Sequence, residues 1–449
     1  MKKIFFWAGI FLWLSLFVSG CEWLGSKKIK KQKLVIVGID AGTWKIILPL
    51  LREGRLPNFQ ALMERGSSGY LATLKTTSAS PVLWTSILTG KLPEKHGIKG
   101  YISVRGFPVN STMRKVKDLA EILSDGGYTV GFVGFWASWP AQKVRGWLVS
   151  DLVSLGRFKD SQASANWYVD DYSYLLKIKK VTYPEDLLKE LYPLLLSPHQ
   201  IPREFYQRVC EFNEREWEEF QKIHWVSRTD FESLLKYSIV SDLNFQRIAL
   251  YLLKEKKPEV LAVYFEGPDI IEHFFWRYME PEYFSGVSER EKERFGETIR
   301  NYYQVIDDYI GELRASAEPG TAFLIISDHG MERVIKEGSE ALHSGSHAQK
   351  HPDGIMIFSG PGIKAQRDKM VQGASLLDIT PTILYYLGLP VAEDMDGEVL
   401  MELFTEEFLK SHPLKLIPTY EKKRKRIKEQ ASPLDSEMVK KLRALGYIH

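Results

Sequence analysis

Uninterrupted runs of apolar residues recur along the chain, and amphipathic segments separate them. Runs of this kind are typical of parallel strands that are covered on both faces. The segments between them, such as LPNFQALMERG at 56–66, carry apolar residues at helical spacing. The alternation of strand and helix predicts an α/β fold with a mostly parallel sheet between layers of helices. The predicted strands lie at residues 33–40, 127–135, 258–267, 321–328 and 353–360.

One long stretch departs from this alternation. Residues 156–240 contain amphipathic helices with no buried strand between them, which predicts a helical insertion or cap. The core would then consist of residues 33–155 and 241–404. Residues 405–449 predict a basic helical tail, in which the run KKRKRIK at 422–428 precedes a final amphipathic helix.

The chain begins with two lysines and an apolar run from Ile4 to Val18. This run is shorter than the roughly 20 residues of a membrane-spanning helix, and such a start is typical of an export signal. The sequence VSGC at 18–21 is similar to the bacterial lipobox, whose cysteine becomes the lipidated first residue of the mature protein. We therefore predict a lipoprotein signal peptide at 1–20, a lipidated Cys21 and a tether at 21–32. The protein would be an exported, membrane-anchored lipoprotein of the bacterial cell envelope, in the periplasm or on the cell surface. A plain signal peptide or a short membrane anchor is the alternative.

Charge and cysteine content narrow the class of protein. The formal net charge is +3 over 449 residues, so binding to a nucleic-acid polymer is not expected. The 2 cysteines are Cys21 and Cys210, which argues against a disulfide framework and leaves no CxxC metal motif. The oligomeric state is left open by these observations.

Acidic residues and histidines follow three of the predicted strands. Asp40 ends the first strand, and Asp328 and His329 follow the strand at 321–328. Asp269 and His273 follow the strand at 258–267, and their spacing of four places both on one face of a helical turn. Each residue alone also fits a helix cap or an ion pair. Because open parallel sheets bind ligands beyond the carboxyl ends of their strands, the combination predicts one shared site.

The pair Asp328 and His329 can serve one site only if the backbone turns after the strand at 321–328. The two residues are adjacent, and adjacent side chains on a strand point to opposite faces. Gly330 permits the turn. Further imidazoles follow in ALHSGSHAQKHPDG. Carboxylates and imidazoles without thiolates suit Zn²⁺, Mn²⁺ or iron. The additional candidate ligands are His343, His347 and His351.

Two neighbouring divalent ions suit the in-line displacement of a phosphoryl or sulfuryl group. A nucleophile is then expected nearby, and LKTTSASPVLWTSILTGKLPEKHGI at 74–98 supplies hydroxyl groups ahead of a helical stretch. Most of these serine and threonine residues would serve as turn and cap residues. The chain contains no GxxxxGK[ST] motif, which argues against a nucleoside triphosphate P-loop.

In this combination the chain resembles the alkaline phosphatase superfamily, and within it the type I phosphodiesterase/nucleotide pyrophosphatase family. The resemblance covers about residues 33–400 and rests on VGID, SPVLWTSILTGKLPEKHGI, GPDIIEH, SDHGM, SGSHAQKHPDG with IFSGPGIK, and LLDITPTILYYLGLP. It implies an alkaline-phosphatase-like three-layer sandwich with two metal ions, for which Zn²⁺ is expected and Mn²⁺ is the alternative. The final LRALGY is similar to the tail of uncharacterised secreted members.

The resemblance also implies roles for individual residues. One ion would be held by Asp40, Asp328 and His329, and the other by Asp269, His273 and a late histidine. His347 fits that histidine best, His351 is the second choice and His343 the third. Counting back from Thr89 and Gly90 places the nucleophile at Ser80, with Thr77 and Ser78 as alternatives. Leu83 stands where many nucleotide pyrophosphatases have an asparagine that binds a phosphate oxygen, which weakens the expectation of a nucleotide substrate.

The resulting hypothesis is a two-metal hydrolase of phosphate esters, a phosphodiesterase, nucleotide pyrophosphatase or phosphatase, that acts through a Ser or Thr phospho-enzyme. Its partners would be a phosphate-ester substrate and, through the lipid anchor, a membrane. A phosphoryl-group transferase or a sulfatase-like enzyme on the same scaffold is an alternative, although the chain lacks a CxPSR-like motif. A catalytically inactive lipoprotein that binds a partner in the envelope is the alternative from another class.

Overall fold

A mixed β-sheet organises the part of the chain that our computed structural model describes. The described residues are 31–154, 172–224, 226–227, 229–335, 343–347, 350–367, 369–421, 429–445 and 447–448. The predicted signal peptide, Cys21, nearly all of the tether and the basic run at 422–428 lie outside these residues. All elements named below belong to the unit Gln32–His449.

The strands and helices of the described residues are numbered in chain order. The strands are β1 (Leu34–Ile39), β2 (Gly66–Leu71), β3 (Val130–Val133), β4 (Gly146–Val149), β5 (Thr182–Tyr183), β6 (Val260–Phe265), β7 (Ala322–Ile326), β8 (Glu332–Arg333), β9 (Gly345–Ser346), β10 (Gly354–Ser359), β11 (Met370–Val371), β12 (Val391–Ala392) and β13 (Leu416–Ile417). The α-helices are α1 (Trp44–Arg52), α2 (Pro57–Glu64), α3 (Ser80–Thr89), α4 (Pro93–His96), α5 (Leu119–Asp125), α6 (Leu187–Leu191), α7 (Arg203–Gln207), α8 (Glu214–Gln221), α9 (Phe231–Tyr251), α10 (Gly267–Met279), α11 (Glu289–Phe295), α12 (Thr298–Ser316), α13 (Ile379–Tyr386), α14 (Glu406–Ser411) and α15 (Asp435–Ala444).

The main sheet of the described chain has nine strands in the order β11-β2-β10-β7-β1-β6-β3-β4-β5. Its centre is parallel, because β1 pairs in parallel with β6 and β7, and β3 pairs in parallel with β6 and β4. Strand β10 runs antiparallel to both of its neighbours, and β5 runs antiparallel to β4. The predicted mostly parallel sheet flanked by helices is therefore confirmed, with antiparallel members added towards both edges.

Burial explains why the central strands read as continuous apolar runs. Every residue of β1, β6 and β7 is buried, so both faces of these strands are covered and no polar alternation is possible. Helix α9 packs against β6 and α10, and α12 packs against α10 and α2. The helix α3 approaches β1 closely, since a Cβ placed on Gly38 would lie 2.7 Å from the Trp84 ring.

Two segments outside the predicted core also contact it. Helix α9 begins at Phe231, so the predicted boundary at residue 240 falls within this helix. Met438 and Leu442 of helix α15, and Leu445 directly after it, are buried in the same hydrophobic cluster as the central strands. Burial of one aliphatic side chain stabilises the fold by about 1.5–3 kcal/mol, so these three residues hold α15 firmly in place.

A search of the described residues for long apolar helices found none that could cross a lipid bilayer.

Candidate active site

Three neighbouring parallel strands end at the same edge of the sheet. The register of β1 pairs Ile39 with Phe265 of β6 and Gly38 with Ile326 of β7. The residues that follow these positions therefore leave the sheet side by side. Asp40 is the first residue beyond β1, and its N–H donates to the Phe265 carbonyl at 3.0 Å.

The turn from β6 into α10 depends on a glycine and a buried carboxylate. The side chain of Asp242 accepts hydrogen bonds from the N–H groups of Glu266 and Gly267 and from the Tyr302 hydroxyl. A Cβ on Gly267 would lie 2.0 Å from that hydroxyl oxygen, so no larger residue fits. This anchored start aims Asp269, in the first turn of α10, at the edge of the sheet.

The segment after β7 turns sharply, as two adjacent ligands require. The Ser327 hydroxyl donates to the His329 carbonyl at 2.6 Å, and His329 Nδ1–H donates to the Gly330 carbonyl at 3.0 Å. Nε2 of His329 is thereby left to face the site. Gly330 is needed for close approach rather than for a left-handed conformation, because a Cβ there would lie 2.6 Å from the Asp353 carbonyl oxygen.

The first cluster consists of Asp40, Asp328 and His329, whose potential ligand atoms all lie within 4.8 Å of one another. His329 Nε2 lies 3.3 Å from Asp40 Oδ1 and 3.5 Å from Asp328 Oδ2. Burial and the neighbouring Asp40 raise the pKa of Asp328 well above its usual range. Burial lowers the pKa of His329, but Asp328 and Asp40 outweigh it and raise that pKa to about 10.

The second cluster consists of Asp269, His273 and His347, again within 4.8 Å of one another. Asp269 Oδ1 lies 3.3 Å from His273 Nε2 and 3.8 Å from His347 Nε2. His273 Nδ1–H donates to the Gly345 carbonyl of β9 at 2.9 Å, which turns Nε2 towards the cluster. Burial raises the pKa of Asp269, but the histidines, His273 first, outweigh it and lower that pKa below its usual range.

The two clusters adjoin each other. The rings of His329 and His347 stack with centroids 3.8 Å apart, and His329 Nε2 lies 3.9 Å from Asp269 Oδ1. Of the three late histidines, the structure brings His347 into a cluster, whereas neither His343 nor His351 contributes to the two clusters found among the described residues. The ring of His343 lies 5.3 Å from that of His273, centroid to centroid.

Unpartnered buried atoms show that this site fits metal ions. Asp40, Asp269 and Asp328 are 0% exposed and His329 is 1% exposed. Buried charged groups without hydrogen bonds are costly unless they hold an ion. The following atoms have no hydrogen-bond partner among the described residues: Asp40 Oδ1, Asp269 Oδ1, both carboxylate oxygens of Asp328, His329 Nε2 and His347 Nδ1.

The three candidate nucleophiles lie in different surroundings. Ser80 is the first residue of α3, and its side chain is buried, with 1% exposure. Its N–H donates to the Tyr101 hydroxyl oxygen at 3.4 Å, and that hydroxyl lies 3.5 Å from Ser80 Oγ. The Thr77 hydroxyl accepts the Ala79 N–H at 3.2 Å, as in a turn, and Ser78 is half-buried in the same loop.

Tyrosines around the clusters escaped the sequence-based prediction. The Tyr264 hydroxyl donates to Asp40 Oδ2, and the Tyr447 hydroxyl donates to Asp269 Oδ2 at 2.8 Å. Tyr264 lies in the buried strand β6, and in an apolar run of this kind a tyrosine is expected to pack rather than to hold a ligand. The motif LRALGY contains Tyr447, which is the one sequence signal that marked this residue.

Two adjoining carboxylate–imidazole clusters thus lie beyond the carboxyl ends of a mostly parallel sheet, where they could hold two divalent ions. The sequence profile described as Type I phosphodiesterase / nucleotide pyrophosphatase matches residues 34–383. The chain therefore belongs to the type I phosphodiesterase/nucleotide pyrophosphatase family.

Individual relatives match shorter stretches. A 2,3-bisphosphoglycerate-independent phosphoglycerate mutase of Aeromonas salmonicida is 31% identical over 102 residues, 22% of this chain and 18% of the mutase. An arylsulfatase K of Canis lupus familiaris is 35% identical over 95 residues, 21% of this chain and 17% of the sulfatase. The chain thus spans about a fifth of the length of these relatives. A solved 2-O GAG sulfatase matches with a TM-score of 0.50 at 14% identity, covering 83% of this chain and 73% of that one, and supports the fold.

Proposed function

We propose that the protein is a two-metal hydrolase of phosphate esters that acts through a phosphoserine at Ser80. The observation that carries this proposal is the pair of buried clusters, in which at least one oxygen of every carboxylate and one ring nitrogen each of His329 and His347 lack a hydrogen-bond partner among the described residues. Such a set is costly to bury on its own, so its retention favours the binding of ions over a structural role.

The ligand set divides between two ions. Asp40, Asp328 and His329 would hold one ion, and Asp269, His273 and His347 the other, with Zn²⁺ favoured and Mn²⁺ as the alternative. When bound, the ions would neutralise charge on the phosphoryl oxygens and lower the pKa of a nearby hydroxyl group. Fixed Nδ1 hydrogen bonds on His329 and His273 keep the Nε2 atoms facing the site, so little reorientation accompanies binding.

The residues of the chain have distinct tasks in the reaction. The Ser80 hydroxyl loses its proton as Oγ attacks phosphorus, the ester P–O bond on the opposite side breaks, and the departing alkoxide takes up a proton to leave as an alcohol. Water then attacks the phosphoserine, releases phosphate or a monoester, and restores the Ser80 hydroxyl. The Tyr101 hydroxyl, which lies beside Ser80, is placed to donate to a phosphoryl oxygen, a task that Leu83 cannot perform.

The proposal is tested with the full chain loaded with Zn²⁺ or Mn²⁺ and assayed on p-nitrophenyl phosphate, bis-p-nitrophenyl phosphate, nucleotide diesters and glycerophosphodiesters. Ser80→Ala should lower kcat by on the order of 10³-fold or more, because removal of a nucleophile abolishes the covalent route. Acid-quenched labelling with a radioactive phosphate ester should locate phosphate on Ser80. Full activity of Ser80→Ala, together with loss of activity in Thr77→Ala or Ser78→Ala, would move the nucleophile to that residue.

We also propose that the protein is exported and anchored to the membrane through lipidated Cys21, on the basis of VSGC at 18–21. Expressed in bacteria, the wild type should fractionate with membranes and incorporate labelled palmitate. Cys21→Ala should lose the label and leave the membrane fraction. Equal labelling of the variant would contradict lipidation at this residue.

A further inference from the structure

Each cluster contains a carboxylate whose two oxygens have different surroundings. Asp40 Oδ2 accepts the Tyr264 hydroxyl, whereas Oδ1 faces His329 and has no hydrogen-bond partner among the described residues. Asp269 repeats the arrangement, with Oδ2 bonded to Tyr447 and Oδ1 facing His273 without a hydrogen bond. One oxygen of each carboxylate is thus held by a phenol, and the other is directed at the imidazoles.

The two tyrosines come from different parts of the fold. Tyr264 belongs to β6 at the centre of the sheet. Tyr447 lies 178 positions beyond Asp269, after α15, in the segment of residues 429–448 that we call the tail segment. The tail segment is integrated into the core, because Leu442 and Leu445 are 1% and 2% exposed. Tyr447 itself is partly exposed, and it packs against this buried cluster from its edge.

A buried ion pair sets the position of the tail segment beside the second cluster. Lys441 Nζ lies 3.0 Å from Glu266 Oε2, and the two side chains are 4% and 3% exposed. The Tyr237 hydroxyl donates to the same carboxylate oxygen at 2.8 Å. Because Glu266 lies three residues before Asp269, this pair fixes α15 against the turn that carries the metal ligand.

Aromatic contacts link Tyr447 to the nucleophile's surroundings. Its ring stacks on Tyr101 with centroids 4.9 Å apart and an interplanar angle of 9°, and meets the edge of Trp136 at 6.2 Å. The Tyr101 hydroxyl lies 3.5 Å from Ser80 Oγ. The tail segment thus contacts Tyr101, which lies beside the candidate nucleophile Ser80, and also the candidate metal ligand Asp269.

We propose that Tyr447 is a positioning residue of the active site, which holds Asp269 so that Oδ1 is presented to the ion of the second cluster. This inference rests on the proposed function for the identity of that ion site. Hydrogen bonds that orient a ligand commonly govern metal affinity by 10–100-fold. Through its stack with Tyr101, Tyr447 also holds the phenol beside Ser80.

The test compares Tyr447→Phe, which keeps the stack and removes the hydroxyl, with Tyr447→Ala, which removes both. Tyr385→Phe is the matched control, because its hydroxyl donates to the His412 carbonyl at 2.7 Å, outside the site. All are made in the full chain. Zn²⁺ affinity is measured by competition with a chromogenic chelator, and kcat and KM are measured with bis-p-nitrophenyl phosphate at several Zn²⁺ concentrations.

Tyr447→Phe should weaken one of two Zn²⁺ sites by 10–100-fold, keep the wild-type melting temperature within a few degrees, and recover much of kcat at high Zn²⁺. The control should match the wild type. Zn²⁺ affinity and kcat of Tyr447→Phe within twofold of the wild type would overturn the inference, as would a higher kcat in Tyr447→Ala, which would indicate a blocking contact. A wild type that binds Zn²⁺ but turns over no ester defeats the proposed function while the affinity comparison still decides the role of Tyr447. A wild type that binds no Zn²⁺ defeats both.

Discussion

Replacement of Asp328 by asparagine should raise the free energy of unfolding of the metal-free protein and reduce the further gain in that free energy when Zn²⁺ binds. Asp328 is 0% exposed, neither of its oxygens has a hydrogen-bond partner among the described residues, and Asp40 is its close acidic neighbour. The metal-free native state therefore carries two carboxylates that disfavour each other's charged form. An asparagine at 328 removes one charge and adds an N–H group that can donate to Asp40.

The magnitude follows from the cost of unsatisfied buried groups. An unsatisfied buried acceptor costs about 1–3 kcal/mol, and more when it is charged. We therefore expect the metal-free variant to exceed the wild type by about 1–3 kcal/mol in the free energy of unfolding. An ion at 1,000 times its Kd stabilises the wild type by about 4 kcal/mol, so with metal the wild type becomes the more stable protein once the variant loses more of this stabilisation than the roughly 1–3 kcal/mol that it gains without metal. Each tenfold loss of affinity in the variant removes about 1.4 kcal/mol of that response.

The assay is urea unfolding at pH 7.5, followed by circular dichroism, once with EDTA and once with excess Zn²⁺. Asp353→Asn is the control for loss of a nearby negative charge, because Asp353 forms an exposed ion pair with Lys75 at 3.1 Å. Lower stability of Asp328→Asn than of the wild type in EDTA would refute the account of Asp328 and Asp40 as two buried carboxylates that share the single neighbouring imidazole of His329. An equal gain from Zn²⁺ in both proteins would refute its role as a ligand.

Three further changes test the framework around the site. Burial lowers the pKa of His96 from 6.5 to about 3, so stability present above pH 6.5 should fall by up to about 5 kcal/mol as the pH approaches 3, and His96→Gln should flatten this slope in urea titrations. Gly267→Ala should cost about 2–4 kcal/mol in thermal or urea unfolding, because its Cβ would lie 2.0 Å from the Tyr302 hydroxyl oxygen. Lys441→Met should cost about 3–5 kcal/mol by leaving the Glu266 carboxylate buried without its cation, and the double variant with Glu266→Gln should recover part of that loss.

The strands that the apolar pattern predicted are those buried on both faces. Strand β2 was not predicted, because its sequence GSSGYL at Gly66–Leu71 contains no apolar run. Its glycines serve close packing between backbones, since a Cβ on Gly66 would lie 2.2 Å from the Phe358 carbonyl oxygen. A requirement of this kind depends on a strand that lies far away in sequence, so local composition does not reveal it.

Strand direction was the other feature hidden from the pattern. The run at Gly354–Ser359 was correctly read as a buried strand, but it pairs antiparallel with β7 and β2. An apolar run indicates that both faces of a strand are buried, but it does not indicate whether the strand is parallel or antiparallel to its neighbours.

Part of the candidate site could be predicted from the local sequence, and part of it depends on how distant segments fold together. Asp40, Asp269 and Asp328 could be grouped in advance, because each follows a recognisable strand and such ends share an edge. The late histidines recur at intervals of four, so the preference for His347 over His343 and His351 came from the family resemblance rather than from a local pattern. The structure separates them through the fold of the segment after β9, which stacks His347 on His329.

The two clusters differ in the part of the fold that supplies the tyrosine bonded to their aspartate, and this difference leads to a last prediction. Asp40 is held by Tyr264 within the sheet, whereas Asp269 depends on Tyr447 of the tail segment. A chain that ends after Leu445 keeps the buried side chains of α15 and the Lys441 contact but lacks Tyr447. We expect it to bind one Zn²⁺ as tightly as the full chain and the second 10–100-fold more weakly, as measured by chelator competition. Equal weakening of both sites would mean that the tail segment acts on the whole fold rather than on Asp269, because only the second cluster has a hydrogen bond from Tyr447 among the contacts described.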